Sequence, residues 1–195
     1  LLDELLTSGN WKDKKNEICY VGGISEIRGI NELIQAIEFV ENKMMLNLCG
    51  TFSETDTEKE VKNKSGWKKV TDHGFVGRDE GKAVMKRSVA GIVALHPTVN
   101  YIDSLPVKMF EYMSAGIPVI ASDFPLWRDI VEGNKCGICV DPLNPEEIAI
   151  AIDYLMEHPD DAEEIGRNGR KAVERKYNWN NEENKLLRLY GEMSL

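Results

Sequence analysis

A doubly wound, Rossmann-like α/β domain with a parallel sheet is the fold the sequence predicts, and three observations carry it. Six short apolar runs recur along the chain, at residues 18–21, 44–49, 74–76, 90–95, 118–121 and 137–140, most of them rich in β-branched residues. The runs are uninterrupted instead of alternating, which is the pattern of strands covered on both faces. Stretches with helical spacing lie between them. Length and composition agree, since 195 residues with 42% hydrophobic and 29% charged side chains suit one domain with a sizeable core.

Residues 1–16 are polar with paired leucines and read as a short helix and linker, residues 17–178 as the domain, and residues 179–195 as a C-terminal helix. After the first strand, Ile30, Leu33, Ile34, Ile37 and Val40 recur at helical spacing and define one buried stripe over residues 29–41. A polar loop from Asn100 then leads into a helix with Pro106 in its first turn and Gly116 at its end. Asn144, Pro145 and Glu147 form a helix start, followed by Ile148, Ala151, Ile152 and Leu155 on one face. His158-Pro159 ends it, and residues 160–177 and 180–193 read as two more helices, the second carrying Leu186, Leu187 and Tyr190.

Charge and motifs exclude several classes. Lys and Arg number 24 against 33 Asp and Glu, so the net charge is 24 − 33 = −9, which excludes a basic nucleic-acid wrapper. No apolar run approaches a membrane span and no signal peptide is evident, so a cytoplasmic protein without a transmembrane segment is expected. The first residue is Leu, which suggests a processed product or a piece of a longer protein. Cys19, Cys49, Cys136 and Cys139 are too scattered for a disulfide framework, and Cys136-x-x-Cys139 lacks a second half for a zinc site. Packing is their expected role.

In an open parallel sheet, ligands bind at the carboxyl ends of strands, so the loops there carry the search. Gly22 and Gly23 follow the first strand and lead through Arg28 into the clearest helix. Paired glycines admit a ligand to the backbone, and the helix amino end attracts an anion. Arg28 is disfavoured there by the helix dipole, a cost that a bound diphosphate offsets. A plain glycine turn fits as well, and neither the Walker nor the dinucleotide glycine pattern is complete. Glu111 lies among Met109, Phe110 and Met113. A solvated helix acid and a carboxylate that accepts two bonds from a ribose diol fit that pattern equally. His73, His96 and His158 read as structural, with His96, after a strand, the best candidate among them for the cleft.

Residues 104–122, Ser104-Leu105-Pro106-Val107-Lys108-Met109-Phe110-Glu111-Tyr112-Met113-Ser114-Ala115-Gly116-Ile117-Pro118-Val119-Ile120-Ala121-Ser122, resemble the donor-site signature of glycosyltransferase family 4, retaining enzymes of the GT-B fold. Tyr20-Val21-Gly22-Gly23 through Arg28-Gly29-Ile30 is similar to that family's phosphate loop, and residues 137–142 to its late turn. The resemblance implies one Rossmann-like half of a two-domain enzyme, the carboxyl-terminal half that binds the nucleotide-sugar. A UDP- or GDP-linked sugar is then the substrate, with no further cofactor. The acceptor, a sugar, a lipid-linked molecule or a small molecule, requires an amino-terminal half that the chain lacks. Without it the chain alone is expected to be inactive, and the acceptor is expected to bring the enzyme to the membrane periphery.

By resemblance, Glu111 binds the ribose, and Asp103, eight residues earlier, stands where the family has a Glu near the sugar. Gly22, Gly23 and Arg28 match the diphosphate loop, and Ser104, Leu105 and Pro106 fall near the amides facing the phosphates. Phe75, Val76 and Arg78 follow the strand that ends near the base. Arg28 and Asp103 are the expected catalytic residues, Arg28 by stabilising charge on the departing diphosphate. Four departures stand out: Gly23 replaces an Arg, Arg28 replaces a Lys, Asp103 is one methylene shorter, and Leu105-Pro106 lies farther before Glu111. Asp103 therefore also fits a loop cap, and Lys108 is a candidate for the cation missing at position 23. No Asp-x-Asp pair occurs, so no metal is expected. A non-enzymatic nucleotide- or partner-binding module and a sugar-nucleotide epimerase are the alternatives.

Overall fold

The computed structural model describes residues 10–193. Most of the expected helix and linker over residues 1–16 lies outside the described residues, and its described part is one 3-10 turn, Trp11–Asp13, capped by Asn10. Among the described residues, six parallel strands form one sheet: β1 (Glu17–Val21), β2 (Met45–Cys49), β3 (Val70–Gly74), β4 (Ala90–Val93), β5 (Val119–Ser122) and β6 (Gly137–Val140). Their order is β3-β2-β1-β4-β5-β6, so the expected doubly wound fold is the one observed.

Five strands coincide with the apolar runs to within two residues at either end. The third does not. β3 precedes the run at 74–76, because an edge strand is placed by its single ladder, Leu46 opposite Val70 and Cys49 opposite Gly74, while Thr71 and Asp72 face solvent. Hydrophobicity marks the wrong segment there.

Helices alternate with the strands. α1 (Ile30–Phe39) follows β1, α2 (Thr55–Lys62) precedes β3, and α3 (Arg78–Arg87) precedes β4. α4 (Val99–Ile102) and α5 (Val107–Ala115) precede β5, and α6 (Pro125–Val131) precedes β6. α7 (Pro145–Glu157), α8 (Pro159–Arg175) and α9 (Trp179–Met193) complete the described chain. Alternate strand residues supply two cores. Ile18, Leu46 and Ile92 meet Ile34 and Ile37 of α1 and Ile152 of α7 on one face. On the other, Cys19, Val93 and Val119 meet Tyr112 of α5, Trp127 of α6 and Val173 of α8. Burying each large α1 side chain contributes about 1.5–3 kcal/mol, so α1 is held by its stripe more than by its own propensity.

Three glycines set close approaches. Gly29, ahead of α1, has φ 73°, and a Cβ there would stand 2.0 Å from the Ala94 carbonyl oxygen. In α8, a Cβ on Gly166 would fall 2.2 Å from the Gly116 carbonyl oxygen, and one on Gly169 would fall 3.3 Å from Met113 Cα. α8 therefore lies tightly against α5.

The start of α7 follows the sequence closely. Asn144 accepts from the Glu146 and Glu147 amides at 3.1 and 3.4 Å, and Glu147 accepts in return from Asn144 Nδ2 and from the Asp141 amide. Asn144→Ala should cost about 1 kcal/mol by stranding these amides. Urea denaturation checks it, and an unmoved midpoint would show that the cap contributes nothing.

Burial pushes the Cys136 and Cys139 thiols up to about 12, which keeps both protonated and inert at neutral pH. Among the described residues, no helix is long and apolar enough to cross a membrane.

Candidate functional site

The winding reverses between β1 and β4, and the crevice beyond their carboxyl ends is where such a sheet accepts a ligand. β1 leads directly into Gly22, whose φ of 130° suits only glycine. The Val21 amide donates to the Tyr112 hydroxyl at 2.9 Å. Gly23 offers its carbonyl to two donors, the Tyr20 hydroxyl at 2.7 Å and Arg28 Nη1 at 3.0 Å. A carbonyl that would repel an incoming anion is thereby already engaged.

Arg28 ends a 3-10 turn, Glu26–Arg28, and its Nε lies 3.4 Å from the Tyr101 hydroxyl. That bond raises its pKa above the ordinary value. A Cβ on residue 23 would stand 2.5 Å from Nη1, so glycine is what lets the guanidinium fold over the turn. The departure from Arg at this position thus makes room for another cation.

α5 brings two more groups to this end of the sheet. Lys108 has a partly exposed stem, yet its Nζ is buried, 3.8 Å from the centroid of the Tyr20 ring, without a hydrogen-bond partner among the described residues. Desolvation, aided by the Arg28 guanidinium and opposed by the Glu111 carboxylate, lowers its pKa to about 7. Glu111, almost one turn further along, lines a cavity of about 440 Å³. Apart from its attraction to Lys108, the Glu111 carboxylate has no hydrogen-bond or ion-pair partner among the described residues. Val21, Val76, Leu105, Phe110 and Trp179 give the cavity apolar walls, and Arg78 stands at its edge. An apolar chamber of this size with an acid in its wall has the make-up of a small-molecule site.

Residues 3–172 match the sequence profile of the glycosyl transferases group 1 family. The chain belongs to this family. An uncharacterized glycosyltransferase of Methanocaldococcus jannaschii is 29% identical over 182 residues, which are 92% of this chain and 45% of that protein. Sucrose-phosphate synthase of Thermosynechococcus elongatus superimposes with TM-score 0.79 at 23% identity, covering 94% of this chain and 46% of that one. HepE of Anabaena, in complex with UDP, superimposes with TM-score 0.80 at 15% identity, covering 93% and 50%. The chain therefore spans about half the length of each of these three proteins, and the GT-B-type Rossmann-like half is the part it shares with the two structures.

Within this group 1 glycosyl transferase domain the expected site residues divide into three sets. Val76, Arg78, Leu105 and Glu111 line the cavity. Gly22, Gly23, Arg28 and Lys108 gather at the β1 turn beside it. Phe75, Asp103 and Ser104 do neither. Phe75 is 84% exposed beyond the end of β3. Asp103 is exposed at the end of α4, away from the cavity lining. Ser104 is a brace: its hydroxyl donates to the Tyr101 carbonyl at 3.0 Å, and its carbonyl accepts from Trp127 Nε1 at 2.7 Å, which pins the loop ahead of α5.

His96 is also structural, its Nε2 3.0 Å from Glu32 and its amide donating to the Ile27 carbonyl. Sequence reasoning missed Val107, Phe110, Val173, Tyr177 and Trp179 as cavity walls. Helical spacing points to the first two, because Val107 lies four residues before Glu111 and Phe110 three after Val107. Val173, Tyr177 and Trp179 come from the far end of the chain, and no local pattern marks them.

Proposed function

We propose that this group 1 domain is the donor-binding half of a retaining glycosyltransferase and takes a UDP- or GDP-linked sugar. The observation that carries this reading is Glu111, a carboxylate without a hydrogen-bond partner in the wall of an apolar cavity at the topological switch point. Two carboxylate oxygens match the two hydroxyls of a ribose, and the apolar walls suit the base. The diphosphate then reaches the β1 turn, where Arg28 supplies a fixed positive charge. The presence of UDP in the HepE structure supports the same class of ligand for this fold.

On this reading, the difficult step is departure of the nucleoside diphosphate as charge builds on its oxygens. A guanidinium already tethered to the Gly23 carbonyl and the Tyr101 hydroxyl needs little reorganisation to stabilise that charge. No metal is invoked. Retention of the anomeric configuration rests on the family resemblance, as does a place for Asp103 near the sugar, which requires the exposed loop after α4 to move inward. Acceptor contacts belong to the remaining half of a longer protein, so the chain alone should bind donor without transferring it. Calorimetric titration with UDP, GDP and ADP tests the proposal. UDP or GDP should bind, and binding of none of the three would end the reading.

A further inference from the structure

We propose that Lys108, whose buried Nζ has no hydrogen-bond acceptor among the described residues, is a diphosphate ligand, and that it takes up a proton when the donor's diphosphate binds. The inference rests on the donor-binding reading above and adds a residue and a proton to it. Its basis is geometric. Lys108 Nζ is buried between the Tyr20 ring, 3.8 Å from its centroid, and the open face of Gly22, where a Cβ would stand 3.6 Å away. No hydrogen-bond acceptor among the described residues satisfies it.

A buried amine with no acceptor is costly to the free protein, so its retention at the mouth of an anion site points to a ligand that supplies what the protein does not. Lys108 feels charge from two sides, the Arg28 guanidinium on the 3-10 turn and the Glu111 carboxylate on its own helix. It is thus within electrostatic reach of both groups, the one assigned to the diphosphate and the one assigned to the ribose. Tyr20 on β1 faces it as well, but its hydroxyl is spent on Gly23 and its own ionisation is pushed far above neutrality by burial.

With a free-state pKa of about 7, Lys108 is mostly neutral at pH 7.5. An arriving diphosphate raises that pKa, so binding draws in about 0.7 proton at pH 7.5 and about 0.1 at pH 6. The sign follows: proton uptake makes affinity fall as pH rises, by about 30-fold from pH 6 to 8.5. A sugar nucleotide is the right probe, because its diphosphate is a diester, whereas a free nucleoside diphosphate carries a terminal phosphate that itself titrates near about 6.

The experiment is calorimetric titration of the chain with UDP-glucose and with GDP-mannose at pH 6, 7.5 and 8.5 for affinity, with the pH 7.5 titration run both in Tris and in HEPES. The two buffers release different heats on giving up a proton, so the heat difference counts protons. Uptake near 0.7 at pH 7.5 in the parent, with a 10- to 100-fold loss of affinity and no uptake in Lys108→Met, is the expected result. Lys108→Arg, whose charge is permanent, should bind without uptake, and it serves if the Met variant does not fold. Uridine and guanosine, which lack phosphates, should bind parent and variants alike. Absence of uptake in the parent, uptake that persists in the variants, or parent-like affinity in Lys108→Met would each overturn the role of Lys108 while leaving the donor site standing. Failure of the parent to bind either sugar nucleotide would overturn both.

Discussion

Glu111→Gln should weaken the preferred nucleoside diphosphate by about 1.5–3 kcal/mol, roughly 10- to 150-fold in affinity. The substitution preserves shape but removes the charge and one of two acceptors, so one ribose hydroxyl loses a charge-assisted bond inside an apolar cavity. Folding is a clean control. Because the carboxylate is unbonded among the described residues, the variant should unfold within about 0.5 kcal/mol of the parent. A 2′-deoxynucleotide completes a cycle, since it should bind the parent more weakly and the variant with little further loss. Equal affinity of parent and variant for the ribonucleotide would remove Glu111 from the site.

Gly29→Ala should destabilise the domain by about 2–4 kcal/mol, a large part of the 5–15 kcal/mol typical of a domain. Two costs combine. A φ of 73° places an alanine in the left-handed region at about 1 kcal/mol, and the added Cβ would meet the Ala94 carbonyl oxygen at 2.0 Å. That oxygen belongs to the backbone just after β4, so it yields only by moving the strand end, an overpacking cost of about 1–3 kcal/mol. Arg28 is the preceding residue, so the same shift should loosen its grip on Gly23. Urea unfolding monitored by circular dichroism measures the effect, and a change below about 0.5 kcal/mol would show that the turn relaxes freely.

Much of this molecule is legible in its sequence, for identifiable reasons. The stripe of Ile30, Leu33, Ile34 and Ile37 marks α1 because a helix covering a sheet has to bury one face, and all four are buried. Asn144 marks the start of α7 because its cap is local chemistry. β3 is not legible, since an edge strand obeys its neighbour's ladder and Phe75 beyond it stands in solvent. Glu111 stands out in a contiguous signature, and the structure places it in the cavity wall. The burial of Lys108 is invisible in sequence, where it is one more helical lysine, because it depends on Tyr20 and Gly22 from a distant strand. The family resemblance puts Arg28 at the diphosphate and Glu111 at the ribose, opposite ends of one ligand. Arg28 folds onto Gly23 and Tyr101 outside the cavity lining, and Lys108 feels the charge of both Arg28 and Glu111.

The glycines of α8 carry a consequence for any survey of variants. Gly166 and Gly169 lie on a highly charged helix remote in sequence from Lys108 and Glu111, where substitutions look harmless. A methyl group at either position would wedge α8 away from α5 or displace α5 itself, and α5 bears both the amine and the acid that define the crevice. Lesions at 166 and 169 should therefore masquerade as catalytic defects in a functional screen, although neither residue ever touches a substrate.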